Sequence, residues 1–238
     1  TPVHVTGHAV DVTSVEEVTR AELGVAEETF VVHYSFDANS TVARKNPSAA
    51  LDAFQLAFGD SPDSVFVLKV RNFQQVEYLA GHGDPHALGL LKRLRDRANI
   101  KLITGEWSYG RSLGLIAMAD CFVSLHRSEG YGYSIAEAVS LNVPTICTAY
   151  SGDAEFQSWD LVTSVPYGLS SLCPGDYFYW SPESVWAEAN ISDVAEELVR
   201  VRSETPFDRG GRITQSNLSS TASLQSLANR MSVVLKRR

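Results

Sequence analysis

The sequence predicts an α/β protein built on a doubly wound, Rossmann-like parallel sheet. Three observations predict it. Between residues 30 and 165, short apolar runs alternate with helical patterns, and turn residues separate them. The runs are apolar on both faces, as strands buried beneath two helical layers must be. Strands that alternate with helices imply right-handed crossovers to parallel neighbours.

The elements follow in order. FVVHYSF (30–36) reads as a buried strand, with His33 satisfied by a neighbour. A polar loop, DANSTVARKNP, leads into a helix over 46–59 with Asn46 as cap, Pro47 in the first turn and Gly59 as terminator. SVFVLKV (64–70) is the next strand, 84–98 a helix with a basic outer face, and IKLIT (100–104) a strand. A helix over 109–119, the strand CFVSL (121–125), a helix after Ser134, and the strands 143–148 and 161–165 complete the alternation. Ahead of it, residues 1–12 read as a strand plus loop and 16–23 as a short acidic helix. After Val165 the pattern dissolves into a Gly-, Pro-, Ser- and aromatic-rich stretch, followed by helical patterns at 192–204 and 221–236. The expected organisation is a lead-in over 1–29, a Rossmann-like domain over 30–204 and a helical tail over 205–238.

Bulk properties exclude several classes. A net charge of −8 with no compensating basic face argues against non-specific nucleic-acid binding. No apolar run approaches the ~18 residues of a membrane span, and no signal peptide is expected. Cys121, Cys147 and Cys173 are too few and scattered for a disulfide framework, and the first two read as buried free thiols of a reducing compartment. The Asn-x-Ser/Thr triplets at Asn39, Asn190 and Asn217 are read as chance. HGDPH (82–86) sits in a Gly/Pro turn, and no metal site is assigned to it.

Chemistry concentrates after the strand 121–125. His126 and Arg127 precede Glu129-Gly130-Tyr131-Gly132, then Tyr133 and Ser134 open a helix that carries Glu137. The glycines let the backbone approach a ligand closely, and the helix N-terminus directs amides and its positive dipole end at the same spot. A diphosphate fits such a place whatever the global charge. Ser134-x-x-Glu137 is equally a capping box, which accounts for Glu137 with no ligand, and Arg127 with Glu129 is equally a weak surface ion pair. Arg44 and Lys45, adjacent cations at the same predicted sheet edge, suit phosphate oxygens or a solvated corner. Lys69, ending an apolar strand, needs an anion or a neighbouring carboxylate.

The segments YSFDANSTVARKNPSAALDAFQLAF, CFVSLHRSEGYGYSIAEAVSLNVPTICTAYSGDAEF and VWAEAN together resemble the C-terminal domain of a group 1 (family 4-like) glycosyltransferase of GT-B architecture. The Glu129-x7-Glu137 spacing is that family's signature, and the likeness runs from about Pro2 to Ala195. The resemblance implies that Glu129 contacts donor-sugar hydroxyls and has a catalytic role with Lys45, the phosphate-binding lysine. Glu137 takes the ribose, amides of Gly130, Tyr131, Gly132, Tyr133 and Ser134 hold the diphosphate, and His126 and Arg127 reach the leaving phosphate or the sugar. The loop Thr104-Gly105-Glu106-Trp107 cups the base through main-chain groups. The family's partner arginine belongs to an earlier Gly-Arg pair; here that region reads YSFDAN, and Arg44 or Lys69 is the substitute. No cofactor or metal is implied beyond the nucleotide-diphosphate sugar itself. The implied activity is retaining transfer of a hexosyl residue to a glycan or glycolipid acceptor, in the cytoplasm or peripheral to the inner membrane. The N-terminal acceptor domain is expected to be absent from this chain, leaving it inactive alone. The alternative is a non-catalytic sugar-nucleotide-binding or assembly module of a glycan-synthesis complex.

Overall fold

Valine, isoleucine and phenylalanine fill the strand runs, and β-branched and aromatic side chains suit a pleated surface packed on both faces. The structure, a computed structural model, describes residues 8, 10–95, 97–152, 156 and 159–205. The first strands are β1 (Phe30–Asp37), β2 (Ser64–Arg71), β3 (Ile100–Ile103) and β4 (Cys121–Ser124). With β5 (Thr145–Thr148) and β6 (Val162–Val165) they form one parallel sheet in the order β3-β2-β1-β4-β5-β6. The order reverses between β1 and β4, so the crevice for a ligand lies beyond their carboxyl ends.

Helices cover both faces: α1 (Val42–Lys45), α2 (Pro47–Phe58), α3 (Phe73–Gly81), α4 (Pro85–Leu94), α5 (Tyr109–Met118), α6 (Tyr133–Ser140) and α7 (Ile191–Glu204). One face holds the main core, with Tyr34, Phe54, Phe66, Phe122 and Leu68 almost fully buried. The other is a smaller cluster in which Val31, Val65 and Val67 pack beneath Leu115 of α5. At the bottom of the sheet Arg20 and Asp120 form a buried ion pair at 2.8 Å, and Asp120 also accepts from the Val31 amide at 2.8 Å.

Several expectations need correction. The short acidic helix over 16–23 is reduced to a single 3-10 turn, Ala21–Leu23, because residues 15–19 take no regular structure and the chain passes as a strap over α5. Gly110 and Gly114 make the strap's bed: the Glu16 amide donates to the Gly110 carbonyl at 3.0 Å, and a Cβ on Gly114 would overlap the Glu16 carbonyl oxygen. The described part of the expected opening strand, His8 and Val10–Val12, is not strand; the rest lies outside the described residues. The predicted helix 84–98 stops at Leu94, and α3 was not foreseen. Neither was the antiparallel hairpin of β7 (Tyr167–Ser171) and β8 (Val185–Ala189), which lies in the stretch where alternation dissolved. The helical pattern 221–236, and the tail beyond Thr205, lie outside the described residues.

Asn46 does not cap α2 with its side chain. It ends α1 in a left-handed conformation, φ 49°, and its side chain donates to Glu188 at 3.1 Å. His33 is only half satisfied: Nδ1 meets the Val67 carbonyl at 2.9 Å, while Nε2 has no partner among the described residues.

Candidate functional site

The loop after β1 turns sharply into α1. Thr41 takes φ 65°, a conformation that a β-branched residue adopts only under strain, and its hydroxyl accepts from the Arg44 amide at 3.3 Å. Strain of this kind collects at functional sites. The turn points Arg44 and Lys45 at the end of β4, and the Tyr34 hydroxyl fixes it by donating to the Lys45 carbonyl at 2.5 Å.

Glu129 meets them there. Lys45 Nζ donates to both Glu129 carboxylate oxygens at 2.7 Å, and Arg44 Nη1 lies 3.2 Å from Oε2. Burial alone would raise this carboxyl, but the ammonium and the guanidinium more than cancel that, holding its pKa below the usual value. The Glu129 main chain is pinned: its amide donates to Ser151 Oγ at 2.7 Å, and its carbonyl accepts from the Gly152 amide at 3.0 Å. A Cβ on Gly152 would overlap the Gly130 carbonyl oxygen, so only glycine permits this approach.

Arg127 forms no pair with Glu129. Its guanidinium donates to Glu188 at 2.6 Å and to the Ala43 carbonyl at 2.8 Å, and stacks 4.9 Å from the Trp186 ring centroid. Its amide donates to the Arg44 carbonyl, and its carbonyl accepts from Ala187. Arg127 therefore bolts β8 and α1 to the end of β4. His126 is buried, with Nδ1 3.1 Å from Ser124 Oγ and Nε2 3.4 Å from the Tyr150 carbonyl.

Gly130 is exposed, and Gly132, at φ 84°, takes the cap position of α6. The first amides of α6, those of Tyr133 and Ser134, have no intrahelical acceptor to reach. The Tyr131 hydroxyl donates to the His8 carbonyl at 2.8 Å, and the Tyr133 hydroxyl meets His8 Nδ1 at 3.0 Å.

The capping box does not form. Ser134 falls inside the helix rather than before it, and α6 has no side-chain cap. Glu137 instead accepts from the Tyr109 hydroxyl at 3.0 Å. Burial pushes its carboxyl up to about 7, against which that one hydrogen bond pulls only weakly.

Glu137 lines a cavity of about 360 Å³ with Lys69, Arg71, Trp107, Tyr109 and Ser134, under the carboxyl ends of β1 and β2. The carboxylate near Lys69 is Glu106, whose charge favours the ammonium, while Nζ donates to the Gly105 carbonyl at 2.6 Å and lies 5.5 Å from the Trp107 ring centroid. Arg111 stacks on Trp107 at 4.6 Å. Thr104, Gly105 and Glu106 are exposed, and Glu106 reaches Arg71 at 3.4 Å. A larger cavity, about 780 Å³, lies at the opposite edge near Phe30 and Asp63. It faces the amino ends of the strands, where this architecture does not place its ligands. Among the described residues no three His, Cys, Asp or Glu side chains cluster as a metal site; His86 is engaged by Asp176 at 3.0 Å.

The structure thus brings Arg44, Lys45 and Glu129 together in one cluster, and Glu137, Lys69, Trp107 and Ser134 around one cavity. Asp37, Thr41, Arg71, Tyr109, Ser151 and Glu188 were missed. Gly152 and Glu188 stood in the quoted segments without a role, and Tyr109 carried no signal beyond opening a helix.

No known protein-family profile matches this chain, and no curated protein sequence does. Solved structures do match its fold. A UDP-forming α,α-trehalose-phosphate synthase from Burkholderia vietnamiensis superposes with TM-score 0.59 at 13% identity, over 92% of this chain and 47% of its own. WaaG, a glycosyltransferase involved in lipopolysaccharide biosynthesis, matches with TM-score 0.54 at 17% identity, over 92% and 49%. The corresponding synthase from Burkholderia xenovorans gives 0.56 at 11%, over 88% and 44%. The chain has the Rossmann-like fold of one part of these GT-B glycosyltransferases and spans about half their length or less.

Proposed function

We propose that this chain is the donor-binding part of a glycosyltransferase, taking a nucleotide-diphosphate sugar at the crevice between β1 and β4. The observation that carries the reading is the Lys45–Glu129–Arg44 cluster at the switch point. Two cations are held beside a helix N-terminus, with a hydroxyl-reading carboxylate between them.

In this reading the diphosphate lies against Lys45 and the amides of Gly130–Ser134, where the α6 dipole adds positive potential. The ribose hydroxyls donate to Glu137, whose carboxylate has Tyr109 as its hydrogen-bond partner. The base rests by Trp107 and the main chain of 104–107. Transfer needs the bond between the anomeric carbon and the diphosphate oxygen to break, with charge building on that oxygen. Lys45 and the α6 amides stabilise that charge, while an acceptor hydroxyl attacks from the same face, with retention, and passes its proton to the departing diphosphate oxygen. The acceptor, a glycan or glycolipid, would be held by a second domain like the part of the relatives that this chain does not span. Arg127 serves the site by fastening the hairpin, and Lys69, which lines the nucleotide cavity, also holds the base loop through the Gly105 carbonyl.

Calorimetric titration with UDP, GDP and their glucose and mannose esters tests the reading. Lys45→Ala should weaken every diphosphate about tenfold or more, the scale of a close charge pair. Glu137→Gln should weaken nucleotides but leave inorganic pyrophosphate unaffected. Binding indifferent to both substitutions removes the site. Donor binding with no transfer after a complementary acceptor domain is supplied would favour the assembly-module reading, which the half-length match keeps open.

A further inference from the structure

The cluster has a property beyond binding a donor, and the inference rests on the donor-site reading above. We propose that Glu129 is a built-in competitor for the phosphate-binding cations, and thereby makes the site favour a sugar-bearing diphosphate over the free nucleoside diphosphate.

Lys45 gives two hydrogen bonds to one carboxylate, each 2.7 Å long. An ammonium has three donors, so a single donor remains for a phosphate oxygen until the Glu129 side chain turns away. Arg44 is partly committed: Nη1 is shared between Glu129 and the Ser128 carbonyl at 2.8 Å, and Nε goes to the Ser40 carbonyl at 3.1 Å, which leaves the Nη2 donors outside these contacts. All three charged side chains are withdrawn from water, 18%, 16% and 14% exposed for Lys45, Arg44 and Glu129. Water therefore does little to weaken their mutual attraction.

The backbone at Glu129 cannot retreat, since Ser151 and Gly152 hold it from both sides and Gly152 has no room for a side chain. Only the carboxylate can move. It then stays within reach of whatever occupies the cations.

Two occupants differ in how they treat it. A sugar ester brings hydroxyl donors that replace the bonds which Glu129 loses. A free nucleoside diphosphate brings none there, and its terminal phosphate, substituted only through the anhydride oxygen, has a second pKa of ~6, so it carries additional negative charge at neutral pH. The displaced carboxylate is left without donors and repelled. Glu129 thus opposes the leaving group much more than the donor, which favours release of the spent nucleotide.

The test is calorimetry on the 238-residue chain, Glu129→Gln, Glu129→Ala and Lys45→Met, with inorganic pyrophosphate, UDP, GDP and their sugar esters as probes. Thermal melts check that each variant folds. Glu129→Gln and Glu129→Ala should tighten pyrophosphate and the free nucleoside diphosphates by about tenfold, the effect of one close charge contact. The sugar esters should tighten less or weaken, so the ratio of the two affinities shifts. If both Glu129 variants bind free diphosphates no more tightly than the parent, while Lys45→Met weakens them, the competitor role is overturned and the donor site stands. If Lys45→Met changes nothing, or no probe binds any form, the donor-site reading falls and takes this inference with it.

Discussion

Glu137→Gln separates the two meanings of Glu137, because glutamine keeps the shape and the Tyr109 hydrogen bond but cannot ionise. In the folded chain the carboxyl is raised from 4.5 to about 7. Between those values the folded state holds a proton that the unfolded state has released, so stability falls as pH rises from about 4.5 to about 7 and stays reduced above it. At 1.36 kcal/mol per pH unit the penalty is at most about 3 kcal/mol. Solvent reaches this half-buried group, and about 2 kcal/mol is the working figure. For a chain of this size that is a difference in Tm of roughly 4–8 °C. Thermal melts of the parent and Glu137→Gln at pH 5, 6, 7 and 8 should nearly coincide at pH 5 and diverge by that amount at pH 8, the variant being the more stable. Other titrating groups are common to both proteins and drop out of the difference. His33, pushed down to about 4 by burial from an ordinary 6.5, makes both proteins gain stability as pH rises to about 6.5, and being common to both it cancels from the difference. A difference that stays flat from pH 5 to 8 would refute the reasoning. Because ribose hydroxyls favour the ionised carboxylate, nucleotide affinity should rise over the same interval in the parent and lose that rise in Glu137→Gln.

Three further outcomes follow from packing. Gly114→Ala should push the strap off α5, since the new methyl meets the Glu16 carbonyl; a loss of about 1–3 kcal/mol in denaturant unfolding is expected, and an unchanged midpoint would contradict the strap geometry. Arg20→Met strips Asp120, fully buried, of its ion-pair partner, so stability should fall by about 3–5 kcal/mol, read as a lower Tm at neutral pH. Arg127→Ala removes the Glu188 pair, the Ala43 bond and the Trp186 stack together; hydrogen exchange should quicken across β7 and β8 while the amides of β1 and β2 keep their protection.

Much of the architecture was legible because burial on both faces leaves a strong mark: uninterrupted apolar runs such as 64–70 can be little else beside helical patterns. The failures have physical causes. FQQVEYLAG hides α3 because only Val76 is fully buried, with Phe73, Leu79 and Ala80 partly covered, and the Asn72 before it provides no side-chain cap. The hairpin was lost because β7 is mostly exposed and carries no inward apolar face. At the site, the sequence marked Glu129, Lys45 and the sheet edge they share, yet no spacing rule discloses an ion pair between residues 84 positions apart. Ser134-x-x-Glu137 misled because its meaning depends on where the helix begins. Gly132, left-handed, starts α6 two residues earlier than the box requires. Lys69 was half legible: the neighbouring carboxylate it called for is Glu106, but its hydrogen bond goes to a backbone carbonyl, and carbonyls leave no trace in residue type.

The strap over α5 also defines a load path. His8 is fastened to Tyr131 and Tyr133 on the glycine turn, and eight residues later Glu16 is fastened to Gly110 and, through its carboxylate, to Ser108 at 2.6 Å. Traction applied upstream of His8 therefore meets the turn that carries Glu129 first, and the α5 end that carries Tyr109 second. The segment between His8 and Glu16 thus ties the turn that carries Glu129 to the end of α5 that carries Tyr109, so the two acidic groups of the site share one brace outside the sheet.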